Sequence, residues 1–298
     1  MSVALYRKIA VISRYLTHTM PSSIQFNMLA SCLVLVLTPL VSLAGAGSLS
    51  LQYGGDFEYQ DQMFVDVEFA VLELGYINVG LGASDYQYRS STVATDYYSL
   101  GYISQRDKDV VIGIRYDAWE RGKLQAGSYA ADIYWYTGDW RIGLHPEWHN
   151  ITFTANNGEV LEFKNNGGGF SLSYFASDSL YLYGDYYRYQ FEAPPVLLSR
   201  FRFLPLRVRI ALRLLANEVS SEFDDKRATL GADYYFDSVS IGIERQQITS
   251  AIDGSDYDIT SLNTSLTLGD HWLAGLRVSD VSGSESNYYS VTLSYDWY

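Results

Sequence analysis

The chain has 298 residues and a formal net charge of −13, from 21 Lys and Arg against 34 Asp and Glu. Binding phosphates needs clustered cations, so this balance argues against a nucleic-acid partner. A single cysteine, Cys32, excludes an internal disulfide framework and a multi-cysteine metal site. With 27 Tyr, 24 Gly, 6 Pro and only 18% charged residues, the composition points to an all-β chain, because strands favour aromatic and β-branched residues.

The first 28 residues carry Arg7, Lys8 and Arg14 and no acid, and "MLASCLVLVLTPLVSL" then supplies an apolar core. The small residues Ala44, Gly45 and Ala46 follow, which together read as a signal peptide over 1–46 with a mature domain over 47–298. Beyond this leader no run of about 18 apolar residues predicts a transmembrane helix. A membrane barrel hides its apolar surface on alternate residues, and the mean hydropathy of −0.07 is what such a chain averages to.

From residue 47 onward a pattern recurs: a turn, then alternation around a small residue. It reads "YINVGLG" around Gly80, "VVIGIRY" around Gly113, "WRIGLHP" around Gly143 and "LYLYGDY" around Gly184. It continues with "VRIALRL" around Ala211, "VSIGIER" around Gly242 and "WLAGLRV" around Gly275. The small residues lie roughly thirty positions apart, the length of one barrel hairpin. Short Gly/Asp/Ser turns precede the segments. Polar stretches such as "YRSSTVATD", "WERGKLQAGS" and "TANNGEVLEFKNNGGG" read as longer loops on the opposite edge. With a first hairpin from "LSLQYGGDFEY", these repeats predict a transmembrane antiparallel up-and-down barrel of sixteen strands. The count is fourteen if 196–216, which has no Gly/Asp turn, forms no hairpin.

Alternation assigns the faces. Val65, Val67, Phe69 and Val71 point outward with Asp66 and Glu68 inside, and Ile112, Ile114 and Tyr116 outward with Arg115 and Asp117 inside. Leu230, Ala232, Tyr234 and Phe236 point outward with Arg227 and Asp233 inside. Trp272, Ala274, Leu276 and Val278 point outward with Arg277 inside. Tyr186, Tyr187, Trp135 and Tyr136, near strand ends, suit the membrane interfaces. The last stretch, "VTLSYDWY", alternates to its end, with Val291, Leu293, Tyr295 and Trp297 in one phase. An open sheet would leave it as a free edge, whereas a barrel uses it to close.

That ending resembles the C-terminal signature of Gram-negative outer-membrane β-barrel proteins, porin-like ones among them. The resemblance implies an outer-membrane location and contact with membrane lipid and lipopolysaccharide. It also implies an assembly signal at Trp297 and Tyr298 for the barrel assembly machinery. The family pattern puts the final aromatic in the outward phase, where Trp297 stands, and Tyr298 lies one beyond.

Solvated walls of both signs, with no room before the first strand for a plug, predict a passive pore for small hydrophilic solutes and ions. The inward acids Asp66, Glu68, Asp117, Asp132, Asp233 and Glu244 outnumber Arg115, Arg227 and Arg277, which alone would favour cations. Against them stand Arg200, Arg202, Arg207, Arg209 and Arg213, in a stretch without an acid. Guanidinium groups bind carboxylate or phosphate in a fork geometry. By the resemblance to porins this ladder is the selectivity element and biases the pore towards anions. The same arginines could instead pair with wall carboxylates or face lipopolysaccharide phosphates. The other functional readings are a non-conducting barrel that binds through its loops, or a solitary autotransporter-like barrel.

No cofactor, metal site or enzyme is expected. His145, Glu147 and His149 share one strand face but lack the further ligands a zinc site needs, and read as polar wall. No His is followed two residues later by Ser, as in outer-membrane lipid hydrolases. The Asp-His pair, Asp270-His271, falls in a short turn.

Overall fold

The computed structural model describes residues 46–298 except 57–59, 72–73, 89–90, 107, 122–123, 155–159, 192–223, 252–253, 283–286 and 298. The signal peptide expected over 1–46 therefore lies outside the described residues but for Ala46. The described chain is all strand and turn: β1 (Gly47–Asp56), β2 (Gln60–Val71), β3 (Gly75–Tyr88), β4 (Ser91–Ser104), β5 (Val110–Arg121), β6 (Leu124–Thr137) and β7 (Trp140–Thr154). There follow β8 (Val160–Ser177), β9 (Leu180–Phe191), β10 (Asp224–Phe236), β11 (Val239–Ser250), β12 (Asp256–Leu268), β13 (Trp272–Val281) and β14 (Tyr288–Trp297).

Each strand pairs antiparallel with its chain neighbour, and the sheet closes. The closing seam runs from Gly47↔Trp297 to Asp56↔Tyr288, so the alternating final strand is the last stave and leaves no free edge. Of the two strand counts the sequence allows, the barrel has fourteen. β9 and β10 pair directly, from Arg188↔Lys226 to Leu180↔Tyr234, so no hairpin stands between them. Residues 192–223, with Arg200, Arg202, Arg207, Arg209, Arg213 and the repeat around Ala211, lie outside the described residues, as does Tyr298.

The other six repeats fall on β3, β5, β7, β9, β11 and β13, each the strand after a short turn. The faces follow the alternation. Ile114 (58% exposed), Leu230 (73%), Trp272, Leu276 and Val291 stand on the outside. Arg115, Asp117, Asp233 and Arg277 stand in the opposite phase, on the lumen. Gly80, Gly113, Gly143, Gly242 and Gly275 share the lumen phase, but Gly184 faces out beside Leu230. On β9 the lumen positions are instead Tyr181, Tyr183, Asp185, Tyr187 and Tyr189.

Two expectations are corrected. Tyr187 and Tyr136 lie in the lumen phase rather than at a membrane interface. The outer aromatics near the short-turn edge are Trp135, Trp140, Tyr234, Phe236 and Trp272, with Trp140 stacked on Tyr174 at 4.3 Å. Secondly, the stretches read as long loops are largely strand: β3 runs to Tyr88, β5 to Arg121, and β8 includes Asn165, Asn166 and Gly167 to Gly169. Glycines break strands because they bring no side chain to the sheet. Here the cross-strand neighbour supplies it. The Tyr189 ring occupies the space a Cβ of Gly167 would take, and the Tyr187 ring that of Gly169. Tyr183 lies likewise over Gly231, and Phe64 over Gly82. Each pair is in direct register, an arrangement that rescues glycine in a sheet.

Apolar burial also occurs inside the barrel. Ile248, Tyr257, Ile259, Val281 and Tyr288 form a buried cluster on the lumen side of β11 to β14, at the edge away from the short turns.

Candidate pore lining

The lumen wall divides into a crowded part, β6 to β10, and a sparser part, β11 to β14 continuing into β1. In the crowded part, β7 carries Arg141, Gly143, His145, Glu147 and His149 at alternate positions, all facing inward. Arg141 donates through Nε to Ser173 Oγ at 3.1 Å and through Nη2 to the Tyr181 hydroxyl at 2.7 Å. Its guanidinium also lies over the Tyr134 ring, 5.2 Å from the centroid. His145 lies between two staves, with Nδ1 2.6 Å from Asp132 Oδ1 and Nε2 2.8 Å from Ser171 Oγ. Tyr187 stacks on its imidazole at 5.6 Å and Tyr134 meets it edge-on at 5.2 Å. Glu147 accepts from the Tyr189 hydroxyl at 2.9 Å and lies 3.3 Å from His149 Nε2.

Arg227, only 8% exposed, is a buried cation of this wall. Its Cζ lies 4.0 Å from the Tyr187 ring centroid, a cation–π contact. Its Nε is 3.8 Å from Asp185 Oδ1. The column of tyrosines on β9 thus covers glycines of β8 and β10 while its rings and hydroxyls hold the charged groups of β7 and β10.

Among the described residues, the arginines Arg115 and Arg277, read from the sequence as pore lining, each stand in an ion pair. Arg115 Nε donates to Asp117 Oδ2 at 2.5 Å, and Tyr97 donates to the other Asp117 oxygen at 2.7 Å. Arg277 donates to Glu244 at 2.6 Å and to Ser261 at 2.9 Å. Glu244 also accepts from Tyr183 and Gln246. Asp233 faces Gly242 across the β10–β11 register. The sparse part is otherwise held by hydroxyl pairs: Ser261 with Ser279 at 2.8 Å, Ser240 with Ser265 at 2.6 Å, and Ser294 donating to Ser50 at 3.0 Å across the closing seam.

Sequence reasoning missed Tyr181, Tyr183, Tyr187 and Tyr189. Their signal was present in "LYLYGDYYRYQF", where tyrosine occupies alternate positions around Asp185. Ser171 carried no signal. It meets His145 only because β7 and β8 are neighbours in this register.

A closed antiparallel barrel with an apolar outside and a charged, hydrogen-bonded inside defines the class: an outer-membrane-type β-barrel, porin-like in build. Among solved structures, the chain is similar to the KdgM porin in complex with disordered oligogalacturonate, at 10% identity and TM-score 0.44 over 84% of this chain and 99% of that one. It is also similar to the NanC porin, at 8% identity and TM-score 0.45 over 83% and 98%. A third is the Acinetobacter baumannii outer membrane protein Omp33, at 8% identity and TM-score 0.49 over 86% and 99%. No protein-family model matches the sequence, and no curated protein matches it. The class rests on the strand pairing and the two faces, not on these likenesses.

Proposed function

We propose that this protein is an outer-membrane, porin-like channel that passes small hydrophilic solutes and ions by diffusion. The observation that carries the reading is the contrast between the two faces of one closed wall. Side chains such as Ile112, Ile114, Leu230 and Leu276 face out, as lipid requires, while paired charges face in. Barrel diameter grows with strand number, and fourteen staves approach the size at which porins keep an aqueous lumen. In this reading residues 1–46 are a cleaved export signal, and Trp297 and Tyr298 are read by the barrel assembly machinery. The outer wall is bathed in lipid and lipopolysaccharide.

Arg200, Arg202, Arg207, Arg209 and Arg213 supply the anion bias. The reading is supported by the sequence of 196–216, which carries five arginines and no acid, whereas Arg115, Arg277 and Arg227 on the wall each lie against a carboxylate. Single-channel conductance of the refolded mature chain in a planar bilayer, under asymmetric salt, tests both levels. Stable open steps are expected, and replacing Arg207, Arg209 and Arg213 together by Glu shifts the reversal potential towards cations. A silent barrel overturns the channel, and an unchanged reversal potential overturns the role of the arginines.

A further inference from the structure

The contacts of His145 have a chemistry that the channel does not use. A carboxylate can only accept a hydrogen bond, so Asp132 holds the proton of His145 on Nδ1. In the neutral imidazole that leaves Nε2 as the acceptor, and Nε2 is the atom 2.8 Å from the Ser171 hydroxyl. The Asp132 bond is 2.6 Å. Carboxylate, imidazole in the required tautomer and serine hydroxyl are thus connected in the order that activates a serine as nucleophile. The three residues come from three adjacent staves, β6, β7 and β8, so a search along the chain for His-x-Ser could not find them.

The surroundings fix this arrangement. His145 is 3% exposed and wedged between the Tyr187 face and the Tyr134 edge, which removes its rotational freedom. Gly143 lies beneath the His145–Ser171 bond, and a Cβ there would collide with both Ser171 Oγ and His145 Nε2. Ser171 itself is half-buried and in the lumen phase, on the side from which a solute arrives.

We propose that Asp132, His145 and Ser171 form a nucleophilic site of the serine-hydrolase type on the lumen wall, acting on small uncharged carboxylic esters. Ser171 Oγ bonds to the acyl carbon while its proton passes to His145 Nε2. The ester C–O bond breaks, and the leaving alkoxide takes that proton. Water then attacks the acyl-serine, gives a proton to His145 and releases the acid, and the proton returns to Oγ. The net reaction consumes one water and yields an acid and an alcohol. Asp132 orients the imidazole and balances its charge. Asp185, opposite Ser171 in the register, is balanced by Arg227 at 3.8 Å, so no net charge there selects a charged acyl group, hence the uncharged substrate class.

The proposal rests on solutes reaching the lumen, as the channel reading has it, and the test separates the two. The refolded barrel is treated with a small fluorophosphonate, which forms an Oγ–P bond and releases fluoride, and the modified serine is located by peptide mass spectrometry. Modification at Ser171 and not at Ser173, two residues along the same lumen face, is expected in the unmutated protein. Turnover of p-nitrophenyl acetate is expected to disappear in Ser171→Ala and to fall about 10²–10⁴-fold in His145→Gln. A similar fall is expected in Gly143→Ala, which keeps all three residues but separates two of them. Absence of label on Ser171, or equal label on Ser173, overturns the site. Label at Ser171 in a barrel that is silent in bilayers keeps the site and overturns the channel, whereas an unlabelled Ser171 in a conducting barrel does the reverse.

Discussion

The two parts of the lumen wall solve the same problem with different side chains. From β7 to β10 the inner face is built of large aromatics lying over glycines, with charged groups packed against them: Tyr187 over Gly169 and against Arg227, Tyr189 over Gly167 and bonded to Glu147. From β11 to β14 many lumen positions carry Ser, Thr and Gly, joined by hydroxyl pairs around the Arg277–Glu244 ion pair, with the apolar cluster around Ile259 beyond them. Backbone pairing is continuous through both. The barrel as such therefore does not require the crowded arrangement. Both walls hold paired charge, but the crowded one also packs it against stacked rings.

The sharpest way to break this comparison is to remove the buried cation of the crowded wall, Arg227. Arg227→Ala leaves Asp185 without the guanidinium 3.8 Å away and takes the stacking partner from Tyr187. Removing the buried guanidinium leaves the half-buried Asp185 carboxylate without its counter-charge, at a cost of about 1–3 kcal/mol. Urea unfolding of the refolded barrel, followed by its heat-dependent gel mobility, should show the loss. Arg227→Lys should recover only part of it, since an ammonium lacks the planar face that stacks on the ring. A loss below about 1 kcal/mol would mean that this wall is no more demanding than the other.

How far these features could be read from the sequence depends on their range. The inside and outside of β5, β10 and β13, and the role of the last strand, follow from a period of two and needed no partner. Strand count was less legible. Pro205 and the missing turn in 196–216 leave both fourteen and sixteen open until the β9–β10 register is known. The glycine- and asparagine-rich start of β8 was misread as loop because its compensation lies on another stave: nothing near Gly169 in sequence announces Tyr187. The same applies to the site. Arg115 and Asp117 are two residues apart and visible as a wall pair. Asp132, His145 and Ser171 meet only through the register of three strands, a property of the closed sheet and not of any segment.

A second test compares glycines. Gly169→Ala puts a methyl where the Tyr187 ring lies. The ring must move off His145 and Arg227, and overpacking of this kind costs about 1–3 kcal/mol. Gly275→Ala, at a lumen position of β13, meets only Thr292 Cβ at 3.6 Å and Thr264 O at 3.8 Å, ordinary contacts. There the alanine should be neutral or stabilise by up to about 0.5–1 kcal/mol, because glycine weakens a strand interior. Unfolding midpoints for the two variants should move in opposite directions. Equal losses would show that the glycines serve the backbone on both sides and that the tyrosine cover is incidental.

The smallest effect is expected on the sparse wall. Ser279 is buried, and its hydroxyl lies 2.8 Å from that of Ser261. Ser261 in turn accepts from Arg277, which Glu244 also holds at 2.6 Å. Ser279→Ala therefore removes one neutral hydrogen bond and leaves the Arg277–Glu244 pair intact, a change of about 1 kcal/mol. Arg277 should keep its place, so conductance should stay at the unmutated value while the urea midpoint falls slightly. If Ser279→Ala instead destabilises the barrel as much as Arg227→Ala, the hydroxyl pairs hold the sparse wall as tightly as charge and stacking hold the other. The two walls would then be equally demanding in energy despite their different side chains.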